Sequence, residues 1–386
     1  MLNVEFDSKK CYCRQYQKKT KLEENLVCLS QPDSDFLECV IPDSCSSENC
    51  TKAILDVIER TDSKNSLKAI KCDGTNVNVG FKNGIIVKLE RILKRPLTWV
   101  VCLLHMIEIL LRTAFCFIDG TSSGPNSYSG AIGKQIKSIT ASQPLIDFTP
   151  VPTDLPAMDS NTLKGMTTDQ SYLYKIAAVV STGLTNANHS FVAFIKTNEP
   201  GQMHLARWMT TASRILRVYI STSDPDVKLK RLTNFIMKVY VGSWFEAKLY
   251  SSISDASRNY FNILRRLKNL EDEELSRVTL VKANHNSYLA HPEVILIGMI
   301  GDNDPTVREK AIEILAQSYR GERTYLKPII DEDANSYHEM VSFNTSIYCR
   351  PLLIPDDITS SKPVRFDGIT SNNQNVERFI QIAANA

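Results

Sequence analysis

Asp7 closes LNVEFD and Asp73 follows SLKAIKC, two short runs patterned as strands. Open sheets with helices on their faces gather functional groups at the carboxyl ends of neighbouring strands, where strand order reverses. If these two strands are neighbours, the carboxylates converge. Paired carboxylates can hold two divalent ions roughly 4 Å apart, which steady the oxygens entering and leaving phosphorus. A third carboxylate usually completes such a site. A plainer reading stands beside this one: aspartate favours strand ends because its side chain bonds to nearby backbone. A second polar set, His105, Glu108 and Arg112, interrupts TWVVCLLHMIEILLRTAFCFI at 98–118, the most apolar stretch of the chain.

The elements that must position these groups follow from the surrounding pattern. After the strand at 2–7 come apolar runs at LVCL, 26–29, and FLECVI, 36–41, the second broken by Pro42, Asp43 and Ser44. In SSENCTKAILDVIER, 46–60, Ile54, Val57 and Ile58 form a helical stripe behind a serine cap. A strand at 66–72 ends at Asp73, and GIIVKLERILKR, 84–95, has helix spacing that Pro96 terminates. Pro96 also divides the apolar stretch. Trp99, Val100 and Val101 are strand formers, so a strand spans 97–102 and a helix runs from about 103 to 117. Two charged side chains and a histidine argue against a membrane span, since each charge near the bilayer centre costs about 2.5–3.5 kcal/mol. On that helix His105, Glu108 and Arg112 share one face, opposite Leu104, Ile107, Leu111 and Phe115. The order of elements describes an α/β mixed sheet flanked by helices over residues 1–118.

The rest of the chain divides by composition. Residues 119–167 are rich in Gly, Ser, Pro and Thr and read as a loop-rich connection. Residues 168–345 are patterned as helices without a fixed-period repeat. Residues 346–386 are a polar loop closed by the helical segment NVERFIQIAANA. With 386 residues, 43% of them hydrophobic and 23% charged, the chain has the composition of a globular protein. A net charge of +2 restricts any nucleic-acid surface to a local patch; KLKRL at 228–232, with Lys230 and Arg231, and RRLK at 265–268 are the candidates, or else solvated helix faces. No basic-then-apolar leader opens the chain. Six of the ten cysteines lie before residue 51, but CYC and CSSENC match no familiar paired spacing, so no zinc site is expected.

Several motifs in order carry a resemblance. DGTNVNVG (73–80), about twenty residues of helix and then CLLH (102–105) resemble the second catalytic aspartate and Cys-x-x-His element of hAT-superfamily DDE transposases. IKCDGTNVNVG, RPLTWVVCLLHMIEILLR, FIDGTSSGP, MTTDQSYLYKIA, RWMTTASRILRVYI and VYVGSWFEAK resemble hAT-like proteins of invertebrate genomes, and NNQNVERFIQ resembles the segment that carries the catalytic glutamate. The resemblance implies an RNase H-like core with a large all-helical insertion domain. It implies Asp7, Asp73 and Glu377 as catalytic residues and ligands of Mg²⁺ or Mn²⁺, with Asn76, Cys102, His105 and Arg378 near the site. Cys102 and His105 would orient the site or touch the scissile phosphate; a core thiol and a hydrogen-bonded core histidine are the plainer readings. Arg207 and Trp208, in RWMTT, would meet DNA, with Trp208 stacking near a DNA end; otherwise Trp208 anchors its helix in the core. The implied chemistry is metal-dependent strand cleavage and transfer on DNA in a nuclear protein, possible homo-oligomers included. Members of the family carry an N-terminal zinc finger and a dimerisation segment running well past the glutamate; this chain opens on the first strand and extends nine residues beyond Glu377. Three functions therefore compete: a competent transposase core, a relic or domesticated descendant that binds without cutting, and an unrelated helical interaction protein.

Overall fold

The computed structural model describes residues 2–14, 20–31, 35–80, 82–95, 97–124, 127–201, 207–250, 253–284, 289–290, 292–318 and four two-residue strands beyond them; β1 is described as backbone. In chain order the first elements are β1 (Leu2–Arg14), β2 (Thr20–Gln31), β3 (Phe36–Val40), α1 (Ser47–Arg60), β4 (Leu67–Cys72), α2 (Asn76–Val79), α3 (Ile85–Leu93), β5 (Thr98–Val101) and α4 (Leu103–Asp119). The five strands form one sheet in the order β3-β2-β1-β4-β5. β1, β2 and β3 pair antiparallel, while β4 runs parallel to β1 and β5 parallel to β4. The molecule is thus of mixed α/β class, with helices in the majority.

Local sequence accounts for most of these elements. Ser46 accepts the backbone N–H of Asn49 at 3.2 Å and starts α1, whose Ile54, Val57 and Ile58 are buried as their spacing requires. β4 lies between two strands, and Leu67, Ala69, Ile70 and Cys72 are all buried, the near-continuous apolar run of a central parallel strand. Glu90, on α3, is buried and accepts from Leu97 N at 2.9 Å and Trp99 Nε1 at 3.2 Å, which fixes where β5 begins. One expectation is corrected: the first strand does not stop at Asp7. β1 continues to Arg14, paired with β2 down to Thr20. A hairpin partner supplies hydrogen bonds that the local pattern KKCYCR does not announce.

The described residues fall into two compact units, one drawn from 1–105, 250–261 and 284–386 and one from 106–249 and 262–283. The second holds most of α4 and then β6 (Ser122–Gly124), β7 (Ser127–Tyr128), α5 (Ala131–Ser138), α6 (Ser160–Lys164), α7 (Thr168–Thr182), α8 (His189–Thr197), α9 (Arg207–Tyr219), α10 (Val227–Phe235), a π-helical turn (Ile236–Tyr240) and α11 (Val241–Leu249). α12 (Ile253–Lys268), α13 (Glu273–Asn284), α14 (Pro292–Ile300) and α15 (Pro305–Ser318) follow. The helical pattern expected to 345 ends at Ser318 among the described residues. Beyond it β8 (Tyr325–Leu326) pairs with β11 (Tyr348–Cys349), and β9 (Ile329–Ile330) with β10 (Val341–Ser342). No helix among the described residues is long and apolar enough to cross a membrane.

The Gly/Ser/Pro/Thr-rich segment is irregular as its composition suggests, yet it is built into the helical unit. Ile146 N donates to Ile220 O, Val151 N to Val180 O and Thr153 Oγ1 to Met237 O, so the strap takes up carbonyls near the ends of α9 and α7 and in the π-helical turn. Asp119 is 5% exposed, and its two oxygens accept from Ile132 N at 3.0 Å and Gly133 N at 2.7 Å at the start of α5. Gly130 has no room for a side chain, since a Cβ there would stand 1.7 Å from Asp119 O. Loss of that buried cap in Asp119→Ala is expected to destabilise the fold by about 2 kcal/mol, read as a shift of the urea midpoint.

α4 behaves in water as its split pattern requires: Ile107, Leu111 and Phe115 are at most 1% exposed and Arg112 is exposed. Glu108 is half-buried, and desolvation pushes its carboxyl from 4.5 up to about 7. Below the unfolded value both states are protonated and the group is neutral in its effect. As pH rises from about 4.5 to about 7 the unfolded chain releases the proton first, so stability falls across that window and levels off above it. Glu108→Gln is expected to flatten this slope and raise Tm at pH 8 relative to wild type; thermal melts from pH 4 to 8 check it.

Candidate functional site

β1, β4 and β5 are neighbouring parallel strands, and β4 and β5 end at one edge while β1 runs on. Glu5 pairs with Lys71, and Lys71 with Val100. Two residues further along each strand stand Asp7, Asp73 and Cys102. Cys102 N donates to Cys72 O at 2.8 Å, so the β4–β5 ladder continues to this rung. On the other side the β1–β4 pairing ends at Glu5, and from there β1 continues against β2 alone, with Asp7 opposite Val27. Asp7 therefore stands where β1 parts from β4. With strands about 4.8 Å apart in the ladder, the backbones of Asp7 and Asp73 leave it side by side.

The turn after β4 fixes Asp73. Its Oδ1 accepts from Thr75 N at 2.9 Å, an Asx turn, and from Asn78 Nδ2 at 2.8 Å. Thr75 caps the four-residue α2, and the backbone then doubles back so tightly that a Cβ on Gly80 would lie 2.5 Å from Asn76 O, and one on Gly84 2.5 Å from Gly80 N. Only glycine fits either position without moving main chain. Both described bonds to Asp73 fall on Oδ1.

Of the other residues expected near the site, Cys102 and His105 are half-buried at the start of α4, His105 within its first turn. Asn76 is exposed, and the amide on Asp73 comes instead from Asn78, which the sequence reading passed over. The signal was present in DGTNVNVG: an aspartate followed five residues later by asparagine across a short turn. Glu377 and Arg378 lie outside the described residues, as do the side chains of Asp7 and Arg207. Among the described residues no three His, Cys, Asp or Glu side chains come together as a metal site, so Asp73, Cys102 and His105 do not form one by themselves.

Two of the expected DNA contacts have partners within the chain. Trp208 is 7% exposed and packs on Phe115, ring centroids 5.9 Å apart, so its face is not open to a base. Arg231 donates to both oxygens of Asp272 at 2.6 and 3.0 Å and to Glu274 at 3.4 Å, which also holds the Asp272 carboxyl below its ordinary value. A phosphate would have to displace those carboxylates. Arg266, in RRLK, is likewise paired with Glu246. Lys230 is exposed, 4.0 Å from Asp224, and borders a cleft of about 670 Å³ with Asp147, Phe148 and Tyr219. Comparison with protein-family models, curated proteins and solved structures gives no match.

Proposed function

We propose that this chain is a hAT-like DDE transposase relic or domesticated descendant, DNA-associated, whose five-stranded sheet is RNase H-like and whose carboxyl edge keeps a site for phosphodiester chemistry. The single observation that supports this most is that Asp7 and Asp73 each stand two residues past Glu5↔Lys71, the last paired rung of the adjacent parallel strands β1 and β4, in a sheet ordered β3-β2-β1-β4-β5. Separated by 65 intervening residues, two aspartates have no local reason to reach one level of one edge.

The donors fit a hard cation. Carboxylate oxygens suit Mg²⁺ or Mn²⁺, and an aspartate held through one oxygen presents the other in a fixed direction. Asp7 and Asp73 would hold the ion, with Glu377 completing the set. A divalent cation there supplies Lewis-acid stabilisation of the oxygens entering and leaving phosphorus. The chain's own part is to keep Asp73 oriented through Thr75 N and Asn78, and to place Asp7 beside it through β1. His105, at the head of α4, stands one turn past the rung and would contact the scissile phosphate. The partners of Trp208 and Arg231 within the chain favour a descendant with weakened DNA binding over a fully equipped transposase. Incubation of supercoiled plasmid with the protein and Mn²⁺ tests the proposal: nicked circles that vanish with chelator and with Asp73→Asn are expected. Equal products from wild type and Asp73→Asn remove the enzymatic reading.

A further inference from the structure

We propose that the cleft between the strap and the α9–α10 turn receives an arginine side chain from an extended segment of a partner protein. The cleft, of about 670 Å³, lies wholly within the helical unit, and none of its residues belongs to the sheet edge. One wall is the strap, with Asp147 and Phe148. The other is the turn after α9, with Asp224, and the part of α10 that carries Lys230 and Asn234. Both walls are fixed by bonds within the chain. Ile146 N donates to Ile220 O at 3.0 Å and Tyr219 Oη donates to Thr149 O at 2.8 Å, one bond on each side of Asp147 and Phe148. Across the cleft Asp226 caps α10 by accepting from Leu229 N at 2.7 Å, which anchors the turn that carries Asp224. A site built in advance loses little freedom on binding.

Charge and unpaired groups decide what fits. Two carboxylates stand against one ammonium, so the lining carries an excess of negative charge and repels a phosphate. Lys230 Nζ lies 4.0 Å from Asp224 Oδ1 and partly neutralises it, while Asp147 meets no cation among the described residues. Asn234 is half-buried, and its amide makes no hydrogen bond among the described residues. Phe148 is half-buried, packed against Tyr219 with ring centroids 5.9 Å apart, and the rest of its ring lines the cleft. A carboxylate, an amide oxygen and an aromatic ring together suit a planar cation with donors in its plane. A guanidinium pairs with carboxylates through its edge and stacks on a ring through its face, whereas an ammonium has no face to stack. Asp224 is almost fully exposed, so the rim is open, and a side chain reaching in from a segment laid across it fits better than an enclosed small molecule.

Saturation-transfer difference NMR of the full chain with the peptide Gly-Ser-Arg-Ser-Gly provides the test. Binding should saturate at millimolar peptide and weaken with added salt. The same peptide with citrulline, which keeps the planar shape without the charge, should bind about fivefold more weakly. Asp147→Asn should weaken the arginine peptide about threefold, and Phe148→Leu by a similar factor. Lys230→Met carries the most information, because it frees Asp224 for the ligand and should tighten binding about threefold. Asp154→Asn, an exposed strap carboxylate outside the cleft lining, should bind as wild type does. Where Phe148→Leu folds poorly, Asp147→Asn and Lys230→Met, both at exposed positions, carry the test. Equal affinity for the arginine and citrulline peptides, or no saturation by either, overturns the proposal. So does a Lys230→Met variant that binds the arginine peptide more weakly. A short oligonucleotide that binds wild type and is lost in Lys230→Met would assign the cleft to nucleic acid instead.

Discussion

Asp7→Asn and Asp73→Asn are each expected to slow Mn²⁺-dependent nicking of supercoiled DNA about a thousandfold, and the double variant no further. A thousandfold is about 4 kcal/mol of transition-state stabilisation, the scale of losing a metal ligand. Non-additivity is the informative part. Residues that act as one unit lose their shared function when either is removed, whereas independent contributors multiply. If Asp7 and Asp73, each two residues past the Glu5–Lys71 rung, hold one ion as proposed, the second substitution has little left to remove. Initial rates on one plasmid preparation, with each variant's fold verified by circular dichroism, measure this. A double variant a millionfold slower than wild type would mean that the two aspartates act separately.

The second large effect is structural. Arg217 is fully buried in the helical unit and meets no carboxylate in hydrogen-bond contact among the described residues. Its guanidinium donates to Gln143 O at 2.6 Å, Ala141 O at 3.1 Å and Ile195 O at 3.3 Å, tying α9 to the strap and to α8. Arg214, one turn earlier, does the same for Gly201 O, Ile136 O and Pro200 O. Arg217→Met keeps most of the apolar stem and removes the donors. Each buried carbonyl left without a partner costs about 1–3 kcal/mol, and the whole loss is expected to be about 3–5 kcal/mol. For a chain of this size that lowers Tm by roughly 5 °C. Arg60→Ala, which removes the exposed pair with Glu38, should change stability by less than about 1 kcal/mol. Differential scanning calorimetry of the two variants separates the cases; an Arg217→Met melt within 2 °C of wild type, on the same scale, would contradict the clamp.

These results mark where sequence pattern informs and where it does not. The serine cap at Ser46, the end of α3 before Pro96, and the division of 98–118 into β5 and α4 follow from capping, proline and propensity, which act within a few residues. That Asp73 follows a buried central strand was legible for the same reason. The extension of β1 to Arg14 was not, because its bonds are made with β2 rather than along the chain. Asn78 was missed because its role depends on a turn compressed by two glycines. The partners of the arginines were not legible either. Arg231 in a basic run reads as a phosphate contact and is instead held by Asp272. Arg217 occupies an interior position whose donors are met by carbonyls more than 70 residues away in the strap. Periodicity reports which face of a helix is inside, not which distant carbonyls await a buried cation.

The central claim, that Asp7 and Asp73 share a cation at the carboxyl edge of β1 and β4, is tested most directly by crystals of the protein grown with Mn²⁺. Anomalous scattering should place an ion within roughly 2.0–2.5 Å of a carboxylate oxygen from each aspartate. An ordered edge with the two carboxylates turned to opposite faces of the sheet, and no anomalous peak between them at millimolar Mn²⁺, would contradict it.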